Sequence, residues 1–75
     1  MMAYVLINVE LESECETLDE LRKIEGVKEA HIVQGVYDII AKVEAETWDK
    51  LKKIVTGKIR LLDKVRSTLT MIIME

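Results

Sequence analysis

Ala30-His31-Ile32-Val33-Gln34-Gly35-Val36-Tyr37-Asp38-Ile39-Ile40-Ala41-Lys42-Val43-Glu44 is the stretch that decides the fold. Two aliphatic arms meet at Gly35-Val36, and the second arm alternates Tyr37/Ile39/Ala41/Val43 against Asp38/Ile40/Lys42/Glu44. Side chains on a strand point to opposite faces with a period of two, so this pattern predicts a β-hairpin turned at the glycine. Upstream, Tyr4-Val5-Leu6-Ile7-Asn8-Val9-Glu10 is β-branched and aliphatic, with Val5, Ile7, Val9 and Leu11 on one face of a predicted first strand. Between it and the hairpin, Thr17-Leu18-Asp19-Glu20 has the Thr-x-x-Glu form of a capping box. Leu18, Leu21 and Ile24 then make one helical stripe, and Gly26 stands where a left-handed residue closes the helix. Downstream, Thr47 is the expected N-cap of a second helix with Trp48, Leu51, Ile54 and Val55 buried, running to about Gly57 or slightly beyond. Ile59–Lys64 reads equally as a last helical turn or a compact connection, and Val65–Met74 as a fourth strand.

The order strand, helix, strand, strand, helix, strand is the split βαβ plan, so the expected fold is α+β, a ferredoxin-like βαββαβ sandwich with an antiparallel sheet and two helices on one face. A weak internal repeat agrees with it, since Ile24-Glu25-Gly26-Val27-Lys28 and Leu62-Asp63-Lys64-Val65-Arg66 occupy the same place in their halves. The expected helix-covered face carries Val5, Ile7, Val9, Ile39, Ala41, Val43, Leu69, Met71 and Ile73. The opposite face then shows Tyr4, Leu6, Asn8, Ile40, Ile72 and Met74, together with Thr68 and Thr70. Each large aliphatic left in water forgoes roughly 1.5–3 kcal/mol of burial, which points to a dimer interface on this face; the plainer reading is a scatter of ordinary surface residues at strand ends.

Composition narrows the function classes. The chain has 75 residues, 49% of them hydrophobic and 33% charged, with no proline, the profile of one folded domain. A core this small rarely supplies more than about 3–5 kcal/mol, and small domains are commonly stapled by disulfides, a metal or a partner subunit. A single cysteine, Cys15, and a single histidine, His31, leave no internal disulfide and no structural zinc set, so oligomerisation is the expected staple and no metal or cofactor is expected. No apolar run reaches the length of a membrane span, and the start lacks a positively charged n-region; the expected location is the cytoplasm. Lys50, Lys52, Lys53, Lys58, Arg60, Lys64 and Arg66 form a basic stretch, but a net charge of −3 and the lack of interleaved aromatics favour a solvated helix face over nucleic acid.

No catalytic constellation is present, and the chain is not expected to be an enzyme. Cys15 lies between Glu14 and Glu16 and reads as an inert thiol, and His31 has Glu29 nearby but no nucleophile to complete a triad. The informative segment is Gly35-Val36-Tyr37-Asp38. Glycine lets a ligand approach the backbone, whose N–H groups can hold a carboxylate, while Asp38 can hold an ammonium group; these halves suit a free amino acid. The same residues also read as no more than the shaping and solvation of a turn.

Gly35-x-Tyr37-Asp38 entering an aliphatic strand, followed by a helix and by Val65-x-x-Thr68-x-Thr70 entering the last strand, resembles the effector-binding (RAM) domain of the Lrp/AsnC transcription regulators. The likeness covers essentially the whole chain. It implies a ferredoxin-like domain that dimerises through its sheets, with dimers assembling further, commonly into octamers, and an amino-acid effector held between dimers. Carried over, Gly35, Val36, Tyr37 and Asp38 line the effector site, with Thr68 and Thr70 as further candidates. The family's regulators carry an N-terminal helix-turn-helix domain, whereas here the first strand begins almost at Met1. Residues 1–75 are therefore expected to be a single stand-alone module without direct DNA binding, modulating full-length relatives. The competing expectation is a purely structural interaction protein that forms homo- or hetero-oligomers without a ligand.

Overall fold

In the computed structural model, which describes residues Met1–Glu75, the first strand is the spine of the sheet. β1 (Met2–Val9) pairs antiparallel with β3 (Ile39–Glu44) on one side and with β4 (Val65–Ile72) on the other. β2 (Val27–Ile32) completes the hairpin with β3, giving the order β2-β3-β1-β4. The helices are α1 (Glu14–Arg22) and α2 (Trp48–Ile54), the latter continuing as a π-helical stretch over Val55–Ile59. This is the expected βαββαβ architecture, and no helix is long and apolar enough to cross a membrane.

The period-two pattern of β1 and β3 becomes the core. Ala3, Val5, Ile7 and Val9 on β1 and Ile39, Ala41 and Val43 on β3 are buried beneath Leu21 of α1, Leu51 of α2, and Val55 and Ile59 of the π-helical stretch. The last three are each four residues apart. In a regular α-helix a residue four along overshoots the stripe by about 40°, and a wider π turn reduces that drift, so Val55 and Ile59 both stay on the sheet. The Arg60 N–H donates to the Val55 carbonyl at 3.1 Å, the i to i+5 bond of such a turn. Thr47 caps α2 as expected, its hydroxyl accepting from the Lys50 N–H at 3.2 Å. Gly26 has φ +102°, and a Cβ there would lie 2.5 Å from Ile54 Cδ1 and 3.1 Å from the Glu44 carbonyl oxygen.

Several expectations are corrected. Thr17 is not an N-cap: α1 begins three residues earlier behind Ser13, and Thr17 lies inside the helix, 1% exposed, with no hydrogen-bond partner for its hydroxyl. The chain turns at Glu12 with φ 64°, which leaves Leu11 out of the strand and 87% exposed. Trp48, expected in the stripe of α2, is about half exposed at the first position of the helix.

The largest correction concerns β4. Thr68 faces Ile7, Thr70 faces Val5 and Ile72 faces Ala3, and residues directly opposite one another share a face. Thr68, Thr70 and Ile72 therefore lie on the helix side, where Ile72 packs against the core. Leu69, opposite Leu6, and Met71, opposite Tyr4, lie on the open face, which reverses the sequence-based assignment. Met74 follows the end of β4 and is exposed. Both parities of Val65–Met74 carry apolar residues, so hydropathy alone does not choose between them.

Candidate functional site

The loop between β2 and β3, residues 33–38, is fixed at its base and open at its tip. Asp38 makes three ties: its N–H donates to the Ile7 carbonyl at 3.0 Å, its carbonyl accepts from the Val33 N–H at 2.9 Å, and its Oδ2 accepts from the Val9 N–H at 2.9 Å. The carboxylate thus extends the pairing of β1 past the end of β3, and its other oxygen, Oδ1, has no partner in the chain. At the tip, Gly35 has φ +156°, a backbone conformation that residues with side chains rarely adopt, and a Cβ there would meet nothing within 4 Å. The glycine therefore serves the backbone path and leaves the space before it clear. Val36 projects into solvent, and Tyr37 is half-buried.

Asp38 borders a cleft of about 490 Å³ at the end of the sheet, shared with Asn8, Arg66 and Ser67. Asn8 Nδ2 donates to Ser67 Oγ at 3.3 Å across β1 and β4, which fixes that wall. Thr68 and Thr70 are not part of the cleft: they lie on the helix side of β4, Thr68 half-buried and Thr70 exposed. Gly35, Val36 and Tyr37 do not line it either, so of the sequence-predicted effector residues one chain brings only Asp38 to this cleft. Arg66 escaped sequence reasoning, because only the pairing of β4 with β1 brings it to the same cleft as Asp38. A larger cleft, about 620 Å³, opens at the opposite end, where Lys28, Lys50, Lys53 and Lys58 alternate with Glu25, Glu44 and Glu46.

The open face of the sheet has two ordered rows. His31, Ile40, Leu6 and Leu69 cross the four strands in one, and Glu29, Lys42, Tyr4 and Met71 in the next. The apolar members cluster on β1, β3 and β4, while Glu29 and His31, 3.3 Å apart, make the β2 edge polar. Among the expected interface residues, Tyr4, Leu6 and Ile40 lie within these rows, and Asn8 continues the face toward the cleft.

The family model of the Lrp/AsnC ligand binding domain matches residues 2–75. The chain belongs to this family. An uncharacterised HTH-type transcriptional regulator of Pyrococcus furiosus is 40% identical over 73 residues, which cover 93% of this chain and 49% of that protein. The chain thus spans about half the length of the curated regulators it matches. A homocitrate synthase of Sulfolobus acidocaldarius is also 40% identical over 73 residues, but these are only 15% of the enzyme. Among solved structures, a hypothetical protein from Pyrococcus horikoshii superposes with a TM-score of 0.90 at 37% identity, covering 99% of this chain and 90% of that one. AsnC of E. coli superposes with a TM-score of 0.92 at 27% identity over 99% of this chain and 50% of its own. The same fold is present in a Neisseria meningitidis transcriptional regulator in complex with L-Met, with a TM-score of 0.87 at 12% identity over 99% of this chain and 49% of that one. Membership makes this a regulatory ligand-binding domain of the Lrp/AsnC type.

Proposed function

We infer that the domain binds a free amino acid at the Gly35–Asp38 loop, assembles through the open faces of its sheets, and in this way modulates Lrp/AsnC-type transcription regulation in the cytoplasm without catalysing a reaction. The observation that carries this reading is the divided role of Asp38 at the edge of a cleft of about 490 Å³: one carboxylate oxygen is locked to the Val9 amide, which orients the group, while the other has no partner in the chain. A preoriented carboxylate holds an ammonium group at less entropic cost than a freely rotating one. The bound L-Met of the Neisseria regulator supports the ligand class. Because Thr68 and Thr70 lie on the other face of the sheet, a single ligand touching them as well as the loop needs a second copy of the chain, which fits the effector position between dimers that the resemblance implies. The open face, with Tyr4, Leu6, Ile40, Leu69 and Met71, supplies the surface for the first association.

A purely structural assembly module is the second reading, favoured by the same Asp38–Val9 bond, since an aspartate that ties two strands has work in the fold alone. Light scattering and calorimetric titration across the amino acids separate the two. Under the effector reading, one amino acid releases heat and shifts the mass of the assembly, and Asp38→Asn, which retains an acceptor oxygen for the Val9 amide but loses the charge, weakens binding about tenfold or more while the assembly persists. A large assembly with no heat from any amino acid at millimolar concentration leaves the structural reading standing.

A further inference from the structure

β4 does not pair evenly with β1. Asn8 faces Ser67, but the next residue, Val9, faces Val65, so Arg66 is the extra residue of a β-bulge. Bulges bend the strand, re-aim the side chain they carry, and are concentrated beside functional sites. In an even ladder Arg66 would share the helix-side face with Thr68; at the bulge it borders the same cleft as Asn8, Asp38 and Ser67. Its guanidinium makes no ion pair within the chain.

The other charged residues of that cleft are acidic. Glu10 and Glu14 join Asp38, so three carboxylates stand against one guanidinium around the cleft. No three imidazole, thiol or carboxylate groups come close enough together to hold a metal ion, so the excess of carboxylates is left to a ligand of another kind. The fit is to a molecule that carries both signs of charge with positive in excess. Leu11, next to the left-handed turn at Glu12, supplies an exposed apolar surface on the same cleft.

We propose that this cleft selects an amino acid with a cationic side chain. Arg66 takes the α-carboxylate, for which a planar guanidinium offers paired donors, and the free oxygen of Asp38 takes the α-ammonium. The methylene stem lies along Leu11, and the side-chain cation meets Glu10 and Glu14. A ligand with two positive groups and one negative group complements a wall with the reverse excess. The inference rests on the amino-acid reading above and adds to it the carboxylate partner and the class of ligand.

Calorimetric titration of the full chain with lysine, arginine and norleucine tests it, because norleucine has lysine's carbon stem without the terminal amine. Lysine or arginine is expected to bind about tenfold or more tightly than norleucine, from the charged contacts at the far end. Glu10→Gln with Glu14→Gln removes that preference. Arg66→Met weakens every ligand about tenfold or more, and Arg66→Lys recovers part of the loss; circular dichroism and solution mass check that each variant retains its fold and assembly. Equal binding of norleucine and lysine, a lysine preference that survives the double glutamine variant, or a folded Arg66→Met that binds as the parent does, each overturns the assignment and leaves amino-acid binding in place. Absence of heat with every amino acid overturns both.

Discussion

Thr17 places a hydroxyl where water does not reach and no acceptor meets it. An unsatisfied buried polar group costs about 1–3 kcal/mol, and valine has nearly the same shape without that cost. Thr17→Val is therefore expected to raise the unfolding free energy by about 1 kcal/mol, read from urea melts at one fixed protein concentration. The residue also marks where sequence reading stops. Thr17 and Thr47 carry similar start signals, yet only Thr47 accepts a bond from the first turn of its helix. The left-handed residue at Glu12 starts α1 a turn early, and a glutamate gives no notice of adopting that conformation. Asp38 was legible as a functional candidate from its place beside the glycine turn, but its bond to Val9 depends on a strand far away in sequence.

At the scale of elements, the two central strands and the hairpin were legible because their apolar residues keep one parity, and burial follows it from Val5 to Val9 and from Ile39 to Val43. β4 was legible as a strand but not in its facing. Leu69 and Met71 on one parity compete with Ile72 and Met74 on the other, and pairing to β1 puts the two threonines on the helix side and the leucine on the open face. The bulge at Arg66 is hidden from sequence for the same reason: a bulge belongs to a pair of strands, not to one. The α1–β2 connection offers the opposite case, since Gly26 was expected to take a left-handed conformation and does. Its missing Cβ also makes room for Ile54 at the end of α2. Gly26→Ala combines an unfavourable φ with that collision, and a loss of about 2 kcal/mol is expected, seen as a lowered melting temperature with unchanged circular dichroism below the transition.

For the whole molecule, the strand order and the weak repeat between the α1–β2 and α2–β4 connections together allowed the architecture to be read in advance, whereas the cleft required the assembled sheet. The open face joins two strands through Leu6 and Leu69 at its centre. Leu69→Lys puts a strongly hydrated charge there without touching the core, so the solution mass is expected to fall toward that of a single chain while the helical signal remains. An unchanged mass would place the contact between subunits elsewhere. Asp38 finally connects the cleft to the backbone of the first strand. The hydrogen that the Val9 amide gives to Oδ2 is shared with a carboxylate that also answers to whatever enters the cleft. If the proposed ligand enters there, protection of that single amide against exchange with deuterated water is expected to change with occupancy, a gauge that reports from the backbone and needs no label on the ligand.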